Sequence, residues 1–184
     1  MMVVGGHLVV AGGYAEGLGH LTSVEAYTPT GWTPLPPLPH YACDATACVL
    51  DGRLYVLGGV DCNKLQVLEM SEENGFAWTV KADLPASRHS AASVVHEGRL
   101  WLIGGEIDDE PTASVIIYDI ASDSWAVGPA LPRPIARGRA AELDGEIKFT
   151  DETCSLALRN GAWAQETAPP TRRFSPACES VVLG

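Results

Sequence analysis

The stretch "DGRLYVLGG" at residues 51–59 returns as "EGRLWLIGG" at 97–105, and a looser copy, "GGHLVVAGG", stands at 5–13. The closing glycine pairs, Gly12-Gly13, Gly58-Gly59 and Gly104-Gly105, are each 46 residues from the next. A fixed spacing of that length marks an array of supersecondary units, so the repeat is settled before any residue is read for chemistry. Each nonapeptide runs from a turn pair through alternating bulky residues, which is the pattern of a strand rather than of an active-site loop.

Working outward, each glycine pair leads through a loop into a second apolar run: "SVEAY" at 23–27, "LQVLEM" at 65–70 and "ASVIIY" at 113–118. A polar turn follows, and then a tryptophan, with Trp32, Trp78 and Trp125 standing 19, 19 and 20 residues after their glycine pairs. Proline-containing exits come next ("PLPPLP", "KADLP", "GPALP"), and then segments of small residues such as "HSAASVVHEG". The count is four strands per period: A (small residues), B (ending in Gly-Gly), C and D (starting at Trp), joined as an antiparallel meander. Strands B and C are apolar on both faces, so each sheet is expected to lie between two neighbours, with Tyr55, Trp101, Trp32, Trp78 and Trp125 filling the space between them.

Composition agrees. The chain has 184 residues, 46% of them apolar, with 19 Gly and 13 Pro distributed throughout, which suits short strands joined by turns. Its formal charge of −11, from 12 Lys and Arg against 23 Asp and Glu, repels phosphate backbones and anionic membranes, so no nucleic acid or membrane partner is expected. Five cysteines without a C-x-x-C pair read as reduced thiols rather than a disulfide framework or zinc knuckle. The apolar opening lacks a basic leader and is interrupted by Gly, so an intracellular, cytoplasmic protein is expected.

Gly-Gly, then Tyr27 or Tyr118, then Trp32 or Trp125, at a period near 50 residues, resembles the kelch repeat of β-propellers. The resemblance implies an all-β propeller of four four-stranded blades: blade 1 about 3–38, blade 2 about 39–84, blade 3 about 85–131 and blade 4 about 132–170. An extra strand A is expected at 172–183. The second repeat departs from the pattern with Leu68 and Met70 near the Tyr position. In the fourth, Asp151-Glu152 stand at the glycine positions and Trp163 follows Glu152 by only 11 residues, so blade 4 is expected to be the least regular. Two arrangements stay open, a small closed ring of four blades and an incomplete ring with missing blades or self-association. The incomplete ring is favoured because Met1 falls inside a strand.

In such a meander the B–C and D–A connections emerge on one face and the A–B and C–D turns on the other. Loops held by a rigid scaffold are where binding residues concentrate. The D–A connections hold His40, Tyr41, Arg88, His89, Arg133, Arg137, Arg139, Arg172 and Arg173, and these arginines are six of the twelve basic residues. Arg grips carboxylates in bidentate fashion, so one reading is a pocket for a protein or acidic peptide built from Arg88, His89, Arg133, Arg137, Arg172, Arg173, His40 and Tyr41. The other is that these arginines pair with Asp and Glu of adjacent loops. The acidic "EIDDE" at 106–110 lacks the loop glycine and spacing of an EF-hand, and the histidines lack zinc-ligand spacing, so no metal and no cofactor is expected. No nucleophile, phosphate-loop or dinucleotide motif is present.

What the resemblance implies for function is a non-catalytic platform for protein recognition, such as the substrate-recognition module of a ubiquitin-ligase adaptor or an actin binder. The alternative is a fragment of a kelch-propeller enzyme acting on a sugar or other small molecule in the central channel.

Overall fold

The two-residue turns between strands A and B decide how the sheets begin. In the computed structural model, which describes residues 1–71 and 75–167, Asp51 and Gly52 both have positive φ, at 51° and 72°. Leu50 pairs with Arg53 across them. Both residues being left-handed is the type I′ geometry that matches strand twist, and Asp-Gly is a sequence that adopts it. Glu97-Gly98 and Asp144-Gly145 make the same turn in later repeats.

Every regular element among the described residues is a strand. The first repeat contains β1 (Met2–Val4), β2 (His7–Ala11), β3 (Tyr14–Ala15), β4 (Gly19–His20), β5 (Val24–Thr28) and β6 (Gly31–Pro34). The second contains β7 (Thr46–Leu50), β8 (Arg53–Leu57), β9 (Leu65–Ser71) and β10 (Gly75–Val80). The third contains β11 (Ala92–His96), β12 (Arg99–Ile103), β13 (Glu106–Ile107), β14 (Glu110–Pro111), β15 (Val115–Asp119) and β16 (Ser124–Val127). The fourth contains β17 (Arg139–Leu143), β18 (Glu146–Thr150), β19 (Ser155–Arg159) and β20 (Ala162–Glu166). The sheets are antiparallel meanders in chain order, β1-β2-β5-β6, β7-β8-β9-β10, β11-β12-β15-β16 and β17-β18-β19-β20. The four-strand A-B-C-D reading therefore holds for each repeat.

The described chain falls into two compact units that part between His89 and Ser90, each holding two four-stranded sheets and one small hairpin. In the first, Val9, Val24 and Ala26 of the first sheet share a core with Leu54, Val56 and Leu68 of the second. In the second, Trp101, Ile103 and Val115 pack with Ile147, Phe149 and Leu156. The tryptophans of the second sheets tie each pair together. Trp78 Nε1 donates to the Pro36 carbonyl at 2.8 Å, and Trp163 Nε1 donates to the Pro129 carbonyl at 2.8 Å.

Three expectations need correction. Strand D does not start at its tryptophan: Trp32, Trp125 and Trp163 are second in their strands and Trp78 is fourth, because the β9–β10 hairpin runs further before turning. The B–C connections of the first and third repeats are not plain loops but carry the small hairpins β3–β4 and β13–β14. In the latter, Asp108 and Asp109 lie at φ 52° and 61°, another type I′ turn, so the "EIDDE" acidic stretch has a fixed shape. Finally, Trp32 does not fill a space between sheets; it is 53% exposed, as no strand of its unit lies against that face of the first sheet. The extra strand expected at 172–183, and Cys178 within it, lie outside the described residues.

Candidate functional site

The glycine pairs position the loops. A Cβ on Gly58 (φ 65°) would stand 2.3 Å from the Arg88 carbonyl oxygen, and Gly59 N–H donates to that same oxygen at 2.8 Å. Only a residue without a side chain allows so close an approach at a left-handed φ. Gly104-Gly105 receive the Ile135 carbonyl in the same way, and Gly12-Gly13 that of Ala42. Each carbonyl belongs to the D–A connection that follows the sheet in question. The repeated double glycine is thus a clamp, holding the connection that carries the candidate residues.

Two residues beyond each clamped carbonyl the backbone turns left-handed: Asp44, Ser90 and Arg137 have φ 50°, 52° and 59°. A non-glycine residue there carries a strain of roughly 1 kcal/mol or more, and the clamp is what holds it. The three side chains differ in fate. Asp44 is exposed and sits 3.4 Å from Nδ1 of His89, whereas Ser90 is buried. Arg137 projects outward with its side chain 71% exposed, its Nε 3.7 Å from Oε1 of Glu106, and its backbone N–H donating to the Ser90 carbonyl at 2.8 Å.

The other predicted arginines do different work. Arg88 is 5% exposed, and burial lowers its pKa to about 10, which still leaves it protonated at neutral pH. It is no surface ligand. Arg133 donates through Nη2 to Asp151 Oδ2 at 2.7 Å and to Thr153 Oγ1 at 2.6 Å, so it acts as a latch on the B–C turn of the fourth repeat. Arg139 donates from Nη1 to the neighbouring Gly138 carbonyl at 2.9 Å. Arg88 and His89 belong to the first unit, and Arg133, Arg137 and Arg139 to the second. Arg172 and Arg173 lie outside the described residues. The pairing of arginines with loop carboxylates therefore describes Arg133 well and Arg137 only loosely.

In the first unit the exit from β6 is held by backbone bonds, including Leu38 N–H to the Thr22 carbonyl at 2.8 Å. The buried Gln66 side chain accepts from His40 N–H at 2.8 Å. Tyr41 OH donates to the Asp61 carbonyl at 3.2 Å, and its ring lies 5.1 Å from that of His20, which lies 6.0 Å from that of Tyr14. Tyr14 is 65% exposed and Leu18, at the tip of the same hairpin, 78%. Sequence reasoning found Tyr41 and His40 but missed Tyr14 and His20. The signal was present in "EGLG" at 16–19, whose two glycines mark a hairpin that folds Tyr14 and His20 together.

Among the described residues no group of three or more His, Cys, Asp and Glu side chains is placed to hold a metal ion. Cys43, Cys48, Cys62 and Cys154 are free thiols.

Comparison with known proteins follows the repeat. The family model of the kelch motif matches residues 87–132, the third repeat. The solved structure of YjhT superposes with a TM-score of 0.81 at 18% sequence identity, covering 95% of this chain and 71% of that one. No curated protein matches the chain by sequence.

Proposed function

We propose that this chain, which carries kelch repeats folded as the blades of a β-propeller, is a non-catalytic platform that recognises protein segments through its B–C and D–A connections. The observation that carries the reading is the presentation of Arg137. A cation with 71% of its side chain exposed is held on a left-handed residue, fixed by a glycine clamp two residues earlier. The left-handed turn recurs at Asp44 and Ser90 in the equivalent connections, and what sets Arg137 apart is the exposed cation that the turn carries. A planar guanidinium with one loose carboxylate contact is ready to take a better one, so the segment recognised is acidic. Considered by itself, the first unit presents the exposed Tyr14, Leu18 and His20 beside the half-buried Tyr41, aromatic contact surface of the kind enriched at binding hot spots. Adaptor function in a ubiquitin ligase and actin binding are the two finer roles such a surface would serve.

Fluorescence anisotropy with a set of acidic peptides and their Asp/Glu-to-Asn/Gln counterparts tests this. The decisive variant is Arg137→Gly, which keeps the backbone turn without strain and removes the cation. It is expected to melt no lower than the wild type while binding the acidic peptides at least tenfold more weakly. Equal binding by the variant, or no preference for the acidic set, would sink the reading.

A further inference from the structure

His96 interrupts an otherwise aliphatic position of the repeat. At the end of strand A, opposite the first residue of strand B, the first, second and fourth repeats place Val4, Leu50 and Leu143, and the third places His96 opposite Arg99. Two residues further along strand B the first repeat has Val9 opposite Ala26, and the third has Trp101 opposite Ile117. In the first unit these positions form aliphatic core, with Val4, Val9 and Ala26 packed beside Leu68, the counterpart of Leu158. In the second unit the same place, between the third and fourth sheets, is a cleft of about 580 Å3. His96, Arg99, Trp101 and Ile117 line it from the third sheet, and Leu158 and Arg159 from the fourth. The repeat does not impose this cleft; the side chains particular to the third blade do.

His96 Nδ1 lies 2.9 Å from Glu142 Oε2, and its ring meets that of Trp101 edge-on, centroids 5.8 Å apart at 70°. A carboxylate only accepts, so Nδ1 carries the proton and the imidazole is fixed as a wall against the indole. Trp101 is 6% exposed, and its indole N–H is buried without a hydrogen-bond partner among the described residues, whereas Trp78 and Trp163 seat theirs on carbonyls. A buried donor left unpaired is rare in folded proteins, and what it lacks is an acceptor. Arg99 has five N–H donors and uses Nη2 on Glu97 at 3.0 Å, a carboxylate 65% exposed in the same hairpin. Glu146, the other carboxylate of the lining, has both oxygens taken, one by Lys148 and one by Arg159. The cleft is rich in donors, short of acceptors and apolar at Ile117 and Leu158.

We infer that this cleft binds a small organic carboxylate with an apolar body. Its carboxylate takes the Arg99 guanidinium in place of Glu97 and accepts from the Trp101 indole N–H, and its body lies on Ile117 and Leu158. A planar guanidinium grips a carboxylate through two parallel bonds, a stronger contact than its present single one. With Glu97 and Glu146 in the lining, a monoanion is tolerated where a phosphate dianion is repelled. The volume falls in the range of small-molecule sites. The cleft opens beside the A–B and C–D turns, at the other end of the sheets from the connections assigned above, so the inference stands independently of that reading.

The test is an NMR titration of the full chain, uniformly 15N-labelled, with naphthoate, its neutral carboxamide and the corresponding naphthylmethylammonium. The Trp101 indole resonance is identified by its loss in Trp101→Tyr, which installs the residue that the second repeat carries as Tyr55. It is expected to move saturably with naphthoate in the millimolar range, to respond about tenfold more weakly to the carboxamide and to ignore the ammonium. The Gly145 and Gly161 amides, also in the lining, give a second readout that needs no variant of Trp101. Arg99→Gln should weaken naphthoate binding about tenfold. Arg53→Gln, at the same position of the second repeat, should leave it unchanged, and both variants should melt with the wild type because both side chains face water. Resonances that stay in place throughout the millimolar range overturn the inference. Equal responses to the three probes, or an affinity that Arg99→Gln does not change, reduce the cleft to an unselective apolar crevice and overturn it as well.

Discussion

Three blades leave their second strand through a glycine pair, and the fourth leaves through Asp151 and Glu152. In the first three the clamp uses backbone alone: a glycine without a Cβ, and an N–H on the carbonyl of the connection that follows. In the fourth, the turn is held by one carboxylate. Asp151 Oδ1 accepts from the backbone N–H groups of Thr153 and Cys154 at 2.6 and 2.7 Å, and Oδ2 accepts from Arg133, in the connection that precedes the blade. Burial alone would push the Asp151 pKa up, but these donors together with the Thr153 hydroxyl outweigh it and hold it at about 2. The same chain position is thus secured by stereochemistry in one case and by charge in the other. A glycine clamp is indifferent to pH and intolerant of any side chain; an aspartate clamp tolerates bulk around it and fails in acid.

The sharpest way to break the comparison is Gly58→Ala. The added methyl meets the Arg88 carbonyl at a left-handed φ, so a loss of roughly 3–5 kcal/mol is expected in denaturant melts. A loss below about 1 kcal/mol would show that the connection can retreat and that the clamp is not rigid. Next in size is Asp151→Ala, with an expected loss of about 2 kcal/mol at neutral pH from the hydrogen bonds it removes. Because the folded pKa lies below the unfolded value of 3.8, the aspartate's contribution is present in full above about pH 4 and vanishes as pH falls through 2. Wild type and Asp151→Ala should therefore converge in melting temperature toward pH 2, whereas a constant gap would mean the charge plays no part.

The smallest effect concerns the outer face of blade 4, where Lys148 contacts Glu146 at 2.7 Å and Glu166 at 2.9 Å, and Arg159 contacts the same two carboxylates. The pKa of Glu146 is held at about 2, chiefly by its hydrogen bonds to Arg159 and Lys148. All four groups face water, so Lys148→Met is expected to lower the melting temperature slightly in dilute buffer and not at all in 1 M salt. An effect that persists in high salt would point to packing rather than charge.

The 46-residue spacing of glycine pairs and the Asp-Gly turns made the sheet order readable, because period and turn chemistry are local properties of the sequence. The purpose of the double glycine was only half readable: that a Cβ would obstruct something follows from Gly, but that the obstacle is the Arg88 or Ile135 carbonyl is a long-range fact. Candidate residues were harder for the same reason. Arg88 and Arg137 lie in equivalent connections and look alike as letters, yet Arg88 supplies the clamped carbonyl and is buried, whereas Arg137 stands two positions past the clamped Ile135 and is exposed. Ser90, at the same offset from Arg88, is buried, so neither residue type nor offset carries the exposure by itself.

The indole-to-carbonyl link between consecutive sheets also orders events during synthesis. Trp78 reaches back to Pro36, and Trp163 back to Pro129, so the acceptor has always left the ribosome before its donor. The glycines run the other way: the Gly59 N–H waits for the Arg88 carbonyl, and that of Gly105 for Ile135. A nascent chain halted just past a glycine pair holds only the first two strands of its sheet, and the next thirty or so residues to emerge supply both the remaining strands and the carbonyl that closes the clamp.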